Sequence, residues 1–214
     1  MEKIVFLDID GVLNSGFWNE SHQREISDGT LIDEEKVALL GKLVKRTGAK
    51  LVLHSGWRFW FGEGLQPLRK EAERFVEVLK LYDMVITDVT PDLTTEEICR
   101  TKKFSLVKAQ EILAWLEKHP RISRWIVLDD LELHDASVKR QQVQTDANVG
   151  LTEGDVEKAA LKLEHDCDIE QAKLINRVGM CETYECPVCG CEFSVFFNMP
   201  LPFFEPQPQC RVYV

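Results

Sequence analysis

The sequence predicts an α/β fold: a mostly parallel sheet with helices on both faces. Two observations carry this. Short, continuous apolar runs of strand length recur along the chain and end in polar residues. Longer amphipathic runs of helical period separate them.

Residues 3–8 (KIVFLD) read as a buried parallel strand ending in acid. Residues 32–47 carry Val37, Leu40, Leu43 and Val44 at helical spacing, with Asp33 near the start and Gly48 after the end. Residues 50–54 (KLVLH) make a second strand. Leu65 to Tyr82 reads as a charged amphipathic helix with Leu68, Ala72, Phe75, Val76 and Leu79 on one face. Residues 84–86 are a third strand, and residues 87–103, with Pro91 and several Thr, a loop. Ser105 to His119 is a helix that Ser105 can cap and Pro120 follows. Residues 125–128 (WIVL) form a fourth strand and residues 142–144 a short fifth. Residues 152–164 form another helix with Thr152 as its cap. Strand–helix alternation of this kind gives a Rossmann-like architecture.

Composition bounds the function. Of 214 residues, 44% are hydrophobic and 29% charged, which suits a folded domain with an appendage. The division expected is a domain over 1–165 and a small Cys-rich tail over 166–214. No apolar run approaches the roughly 18 residues of a membrane helix. The opening MEKIVFLDIDG turns acidic too early for a secretory leader, so a reducing, cytoplasmic setting is expected. The net charge is -10, but six of those charges lie in residues 151–214, and the stretch from Lys102 to Arg140 is slightly basic. That balance argues against broad nucleic-acid coating and leaves room for a local basic groove.

In open parallel sheets, ligands bind beyond the carboxyl ends of the strands. Three such ends carry polar residues here: Asp8-Ile9-Asp10-Gly11, His54-Ser55-Gly56-Trp57-Arg58, and Asp129-Asp130. Any one of them is ordinary solvation of a strand end. Together they place several carboxylates in one crevice, where they repel unless a cation neutralises them. Oxygen-only ligands suit Mg²⁺ with a substrate phosphate. One carboxylate can attack phosphorus, a second can serve as acid and base, and a hydroxyl and a lysine can hold the phosphoryl oxygens.

At this point the chain resembles the haloacid dehalogenase (HAD) superfamily, and within it the HAD domains of Swiss Army Knife RNA-repair proteins. The matching stretches are FLDIDGVLN, LHSGWR, KAQEILAWL, WIVLDD and VQTDANVGLT, within roughly residues 1–165. The resemblance implies a phosphatase with Asp8 as nucleophile and Mg²⁺ ligand. It makes Asp10 the general acid/base, with its backbone carbonyl on the metal. Ser55 corresponds to the phosphate-binding hydroxyl, Lys108 to the neutralising lysine, Asp129 to the metal-binding acid and Asp130 to its helper. Gly56, Trp57 and Arg58 are expected to meet substrate. Lys102 and Lys103 are alternatives to Lys108. An acid at position 10 is what the resemblance associates with phosphoryl hydrolysis or transfer.

Residues 14–31, with Phe17, Trp18, His22 and Arg24, and residues 57–64, with Trp57, Phe59, Trp60 and Phe61, are the two places for a cap. Both are too short for a full cap domain, so a small flap over an open site is expected. Aromatics interleaved with Arg can stack a base or simply pack the flap. An open site suits a macromolecular end, such as that of RNA or DNA, or a phosphoprotein; the resemblance favours nucleic-acid ends or nucleotides. A small metabolite, a phosphoprotein, or a zinc-bearing adaptor that uses the core as scaffold and docks a partner through the tail are the alternatives, and the identity of any protein partner is left open.

The tail holds Cys186-Pro187-Val188-Cys189-Gly190, the form of a zinc knuckle. Cys181 and Cys191 are the leading candidates to complete a structural Zn²⁺ site. Cys210, His165 and Cys167 are the others, and unpaired thiols are the rival reading. Cys99 is expected in the core. Pro200, Pro202, Pro206 and Pro208 predict an extended segment over 199–209.

Overall fold

The computed structural model describes residues 2–16, 22–27 and 29–196. Phe17, Trp18, Cys210 and the proline-rich segment over 199–209 lie outside the described residues.

The central sheet has five parallel strands: β1 (Lys3–Leu7), β4 (Lys50–Leu53), β5 (Ile86–Val89), β6 (Arg124–Asp129) and β7 (Gln142–Gln144). Their order is β5-β4-β1-β6-β7, which puts β1 in the middle. Alternate side chains of β1 serve the two faces. Val5 and Leu7 join a core with α1 (Glu34–Thr47), α2 (Lys70–Lys80) and α6 (Glu153–Glu164). Ile4 and Phe6 join a second core with α4 (Ser105–Lys118) and α5 (Ala136–Gln141). The architecture is Rossmann-like α/β, with six helices among the described residues.

Caps explain the firmest boundaries. Asp33 accepts from the Glu35 N–H at the start of α1, and Gly48 ends that helix at φ 67°. Thr152 and Asp155 form a reciprocal capping box on α6. α1 and α6 pack side by side, and Arg46 bridges them by pairing with Glu157 and Glu164.

Several boundaries differ from expectation. The helix expected from Leu65 begins at Lys70, because Gly64 at φ 65° and Pro67 hold the preceding chain in tight turns. Leu68 is consequently exposed rather than on the buried face. Met84 is a buried plug before β5 rather than a strand residue. Phe104, not Ser105, is the N-cap of α4. The expected loop over 87–103 contains α3 (Glu96–Thr101), which Thr95 caps. Cys99 on that helix is exposed, not in the core. Between β1 and α1 an antiparallel hairpin, β2 (Gln23–Ser27) and β3 (Thr30–Asp33), packs Ile26 and Ile32 into the first core. The tail forms a three-stranded antiparallel sheet of β8 (Lys173–Val178), β9 (Cys181–Glu185) and β10 (Glu192–Phe196). Among the described residues, no helix is long and apolar enough to cross a membrane.

Candidate active site

The chain leaves β1 at Asp8, whose N–H donates to the Leu128 carbonyl of β6 at 2.9 Å. Ile9 is fully buried, and its carbonyl accepts from the N–H groups of Val12, Leu13 and Asn14, which curls the loop. Gly11 makes this turn at φ 74°, and a Cβ there would lie 2.5 Å from Asp130 Cγ. Asn14 secures the loop from inside. Its Oδ1 accepts from the Gly11 N–H at 3.0 Å, and its Nδ2 donates to Asp10 at 2.8 Å. The segment after β7 braces the same loop: Thr145 Oγ1 donates to the Gly11 carbonyl at 2.8 Å, and the Leu151 N–H to the Val12 carbonyl at 2.8 Å.

At the end of β4, Ser55 is buried and its Oγ accepts from the Trp57 N–H, capping a short 3₁₀ turn over Gly56–Trp60. His54 is enclosed beneath, its Nδ1 3.1 Å from Thr90 Oγ1. Burial first, then the nearby Lys108 and Arg58 charges, push its pKa well below the ordinary histidine range.

Helix α4 lays Lys108 across the carboxyl edge of the sheet. Its Nζ donates to Asp8 Oδ2 at 2.8 Å and to Asp129 Oδ2 at 2.7 Å. Asp129 Oδ1 accepts from the Leu131 N–H at 2.9 Å. One turn further along α4, Glu111 pairs with Arg58 at 2.7 Å and accepts from the Leu93 N–H. Glu111 was not anticipated, although its spacing from Lys108 puts both on one face of the helix.

Burial is the main force on the acids. It raises the pKa of Asp129 to about 7, reinforced by the Asp8 charge and opposed by Lys108. Burial likewise raises Asp8 and Asp130. It works against the charge on Lys108, yet Asp8 and Asp129 outweigh it and raise that pKa. Carboxylate oxygens of Asp8, Asp129 and Asp130 lie within 4.8 Å of one another. Three acids against one ammonium leave a surplus of negative charge, and their hard oxygen donors fit Mg²⁺.

These groups border a cavity of about 410 Å³ whose polar lining includes Asp10, Ser55, Arg58 and Lys108, with Phe59 and Phe104 at its apolar side. Gly56 and Asp130 also line it. Arg58 reaches it with its guanidinium tied back to Glu111, and stacks over the exposed Phe59 ring at 4.9 Å. Trp57 is a correction: it does not line this cavity. The 3₁₀ turn points its ring inward, where it stacks on Trp60 and meets Phe75 edge-on in the first core. Lys102 and Lys103 are exposed and neither lines the cavity.

In the tail, His165, Cys167, Cys186 and Cys189 present ligand atoms within 4.8 Å of one another. This corrects the expected set, since neither Cys181 nor Cys191 belongs to that group. Cys181 opens β9, at the end of that strand away from the knuckle. Cys191 neighbours the group, and its Sγ accepts from Gln141 Nε2 at 3.6 Å.

No curated protein and no solved structure matched the chain. A family model described as the HAD domain in Swiss Army Knife RNA repair proteins matches residues 4–156, a span that includes every group around the cavity described above. The chain therefore belongs to the HAD family, as a phosphohydrolase domain of the type found in Swiss Army Knife RNA repair proteins.

Proposed function

We propose that this chain is a Mg²⁺-dependent phosphomonoesterase that forms a phosphoryl intermediate on Asp8 and acts on nucleic-acid ends. The observation that carries the reading is the Lys108 ammonium between Asp8 and Asp129, 2.8 and 2.7 Å away, at the floor of an open cavity.

Asp8 attacks phosphorus through a carboxylate oxygen, and the bond from phosphorus to the ester oxygen breaks. Asp10, fixed by Asn14 beside the cavity, delivers a proton to the departing oxygen. In the second half, water attacks phosphorus and gives a proton to Asp10, and the bond from phosphorus to the Asp8 oxygen breaks, releasing phosphate and restoring both acids. Ser55 and Lys108 hold the phosphoryl oxygens while charge develops on them. Mg²⁺, held by Asp8, Asp129 and Asp130 with the Asp10 carbonyl, would supply Lewis-acid stabilisation of that charge. Phosphate monoesters demand on the order of 20 kcal/mol of barrier reduction, so these groups must act together.

Phe59 and Phe104, both exposed at the cavity, support a substrate with a stacking base. Residues 1–165 make up the catalytic unit in this reading, and residues 166–214 a separate Cys-rich one.

The test is phosphate release from 3′- and 5′-phosphorylated oligonucleotides, small phosphate esters and phosphopeptides, each with and without Mg²⁺. Magnesium-dependent release, greatest on the oligonucleotides and abolished by Asp8→Asn, is expected. Full activity in Asp8→Asn or without any divalent cation would overturn the mechanism. A preference for peptides or small esters would overturn the substrate class alone.

A further inference from the structure

We infer that the tail carries a structural zinc ion held by His165, Cys167, Cys186 and Cys189, and that this ion bolts the β8–β10 sheet to helix α6. The inference is independent of the chemistry at Asp8.

The two halves of the ligand set come from different places. His165 is the C-cap residue of α6, and Cys167 follows two residues later. Cys186 and Cys189 come from the turn between β9 and β10. That turn is closed by its own backbone: the Gly190 N–H donates to the Cys186 carbonyl at 2.9 Å, and the Cys186 N–H to the Cys191 carbonyl at 2.8 Å. Gly190 sits at φ 72°, the left-handed conformation that such a knuckle needs.

The four ligand atoms converge to within a few tenths of an ångström of tetrahedral spacing where pairs touch. His165 Nε2 is 3.2 Å from Cys186 Sγ, and Cys167 Sγ is 3.4 Å from Cys189 Sγ. Bonds of about 2.3 Å to sulfur and about 2.0 Å to nitrogen put neighbouring ligand atoms roughly 3.5 to 3.8 Å apart. A disulfide would require about 2.05 Å. One histidine and three cysteines are a closed structural set, with no position left for a substrate.

The surroundings fit as well. Three thiolates and a neutral imidazole around a dication leave one negative charge. Lys162 lies beside it, its Nζ donating to the Cys189 carbonyl at 3.0 Å and to the Arg140 carbonyl at 2.7 Å. The tail's own core is small: the buried members are Cys186, Cys189, Cys191 and Phe193, with a few half-buried neighbours such as Ile169 and Tyr184. A core of that size does not hold a sheet by burial alone, and small units of this kind rely on metal or disulfide. The strand β8 is exposed along its whole length, so it adds nothing to that core.

Elemental analysis of the full chain, purified without chelator, tests this. One zinc per chain is expected. Cys167→Ser, Cys186→Ser and His165→Ala should each lower the zinc content to a small fraction, while Cys99→Ser, Cys181→Ser and Cys191→Ser keep it. Because a tail variant can misfold, Co²⁺ substitution of the unaltered protein gives a second readout: intense tetrahedral d–d bands with thiolate charge transfer of three sulfurs. Absence of zinc after reconstitution, octahedral cobalt spectra, or oxidised Cys167 and Cys189 in freshly purified protein would overturn the site. Full zinc retention in His165→Ala with loss in Cys191→Ser would overturn the ligand set.

Discussion

Glu111 lies one helical turn beyond Lys108 on α4, and both side chains line one cavity. Lys108 holds Asp8 and Asp129, while Glu111 holds Arg58. A single helix face thus sets the position of the Asp8 carboxylate and of the Arg58 guanidinium. Both residues are buried, so the grip is not diluted by solvent.

Lys108→Met should abolish most of the activity while keeping the fold. Removing one preorganised cation from a charge-developing site lowers kcat by about 10²- to 10³-fold. Asp8 and Asp129 would then repel each other unscreened, so neutral-pH stability of the metal-free protein should also fall. Steady-state kinetics at saturating Mg²⁺ and urea denaturation without it read the two effects. An unchanged kcat would remove Lys108 from the site.

Breaking the Arg58–Glu111 pair from one side should be costly. Glu111→Ala leaves a buried guanidinium with the more distant Asp92, at 3.6 Å, as its acidic partner among the described residues, a loss of about 3 kcal/mol in urea unfolding. The double variant Arg58→Ala/Glu111→Ala should lose less than the sum of the singles. Additive losses would mean that the pair is not coupled.

Gly11→Ala combines a left-handed backbone with a Cβ 2.5 Å from Asp130 Cγ. The expected backbone cost is about 1–2 kcal/mol. Displacing Asp130 should also raise the Mg²⁺ concentration for half-maximal activity about tenfold, as lost support of metal ligands does. A Mg²⁺ titration of activity checks this; an unchanged midpoint would separate Asp130 from the metal.

His54 predicts a slope in acid. Its pKa is depressed well below 6.5 in the fold, so below 6.5 the unfolded chain binds the extra proton. Stability from this group therefore rises with pH up to about 6.5 and is flat above it, by at most about 1.4 kcal/mol per pH unit. His54→Asn should flatten that part of the profile in urea unfolding from about pH 5 to about pH 7. Parallel profiles for the two proteins would refute the assignment.

The sheet and most of the cavity were legible in the sequence for one reason. Strands such as KIVFL and WIVLD are buried on both faces, so they read as unbroken apolar runs, and the acids that follow mark the sheet edge. What escaped was governed by contacts rather than period. The β2–β3 hairpin is mostly polar, and only packing of Ile26 and Ile32 reveals it. Trp57 looked accessible beside Ser55 and Arg58, but a 3₁₀ turn sends neighbouring side chains in different directions. Glu111 gained its meaning from Arg58, 53 residues earlier. The cysteine knuckle was legible from its spacing, and His165 and Cys167 stood among the candidates beside it, but spacing alone could not choose them over Cys181 and Cys191.

The brace from Thr145 to the Gly11 carbonyl joins residues 134 apart in sequence. Asp8 directly follows the first strand, yet the loop that carries its neighbour Asp10, held locally by Asn14, is also braced by chain made much later. Contacts so remote are assembled late, after the loop-closure entropy between them has been overcome. The loop is thus finished only by late contacts: a chain halted before residue 145 would carry Asp8, Asp10 and the local bonds of Asn14 without the brace from Thr145.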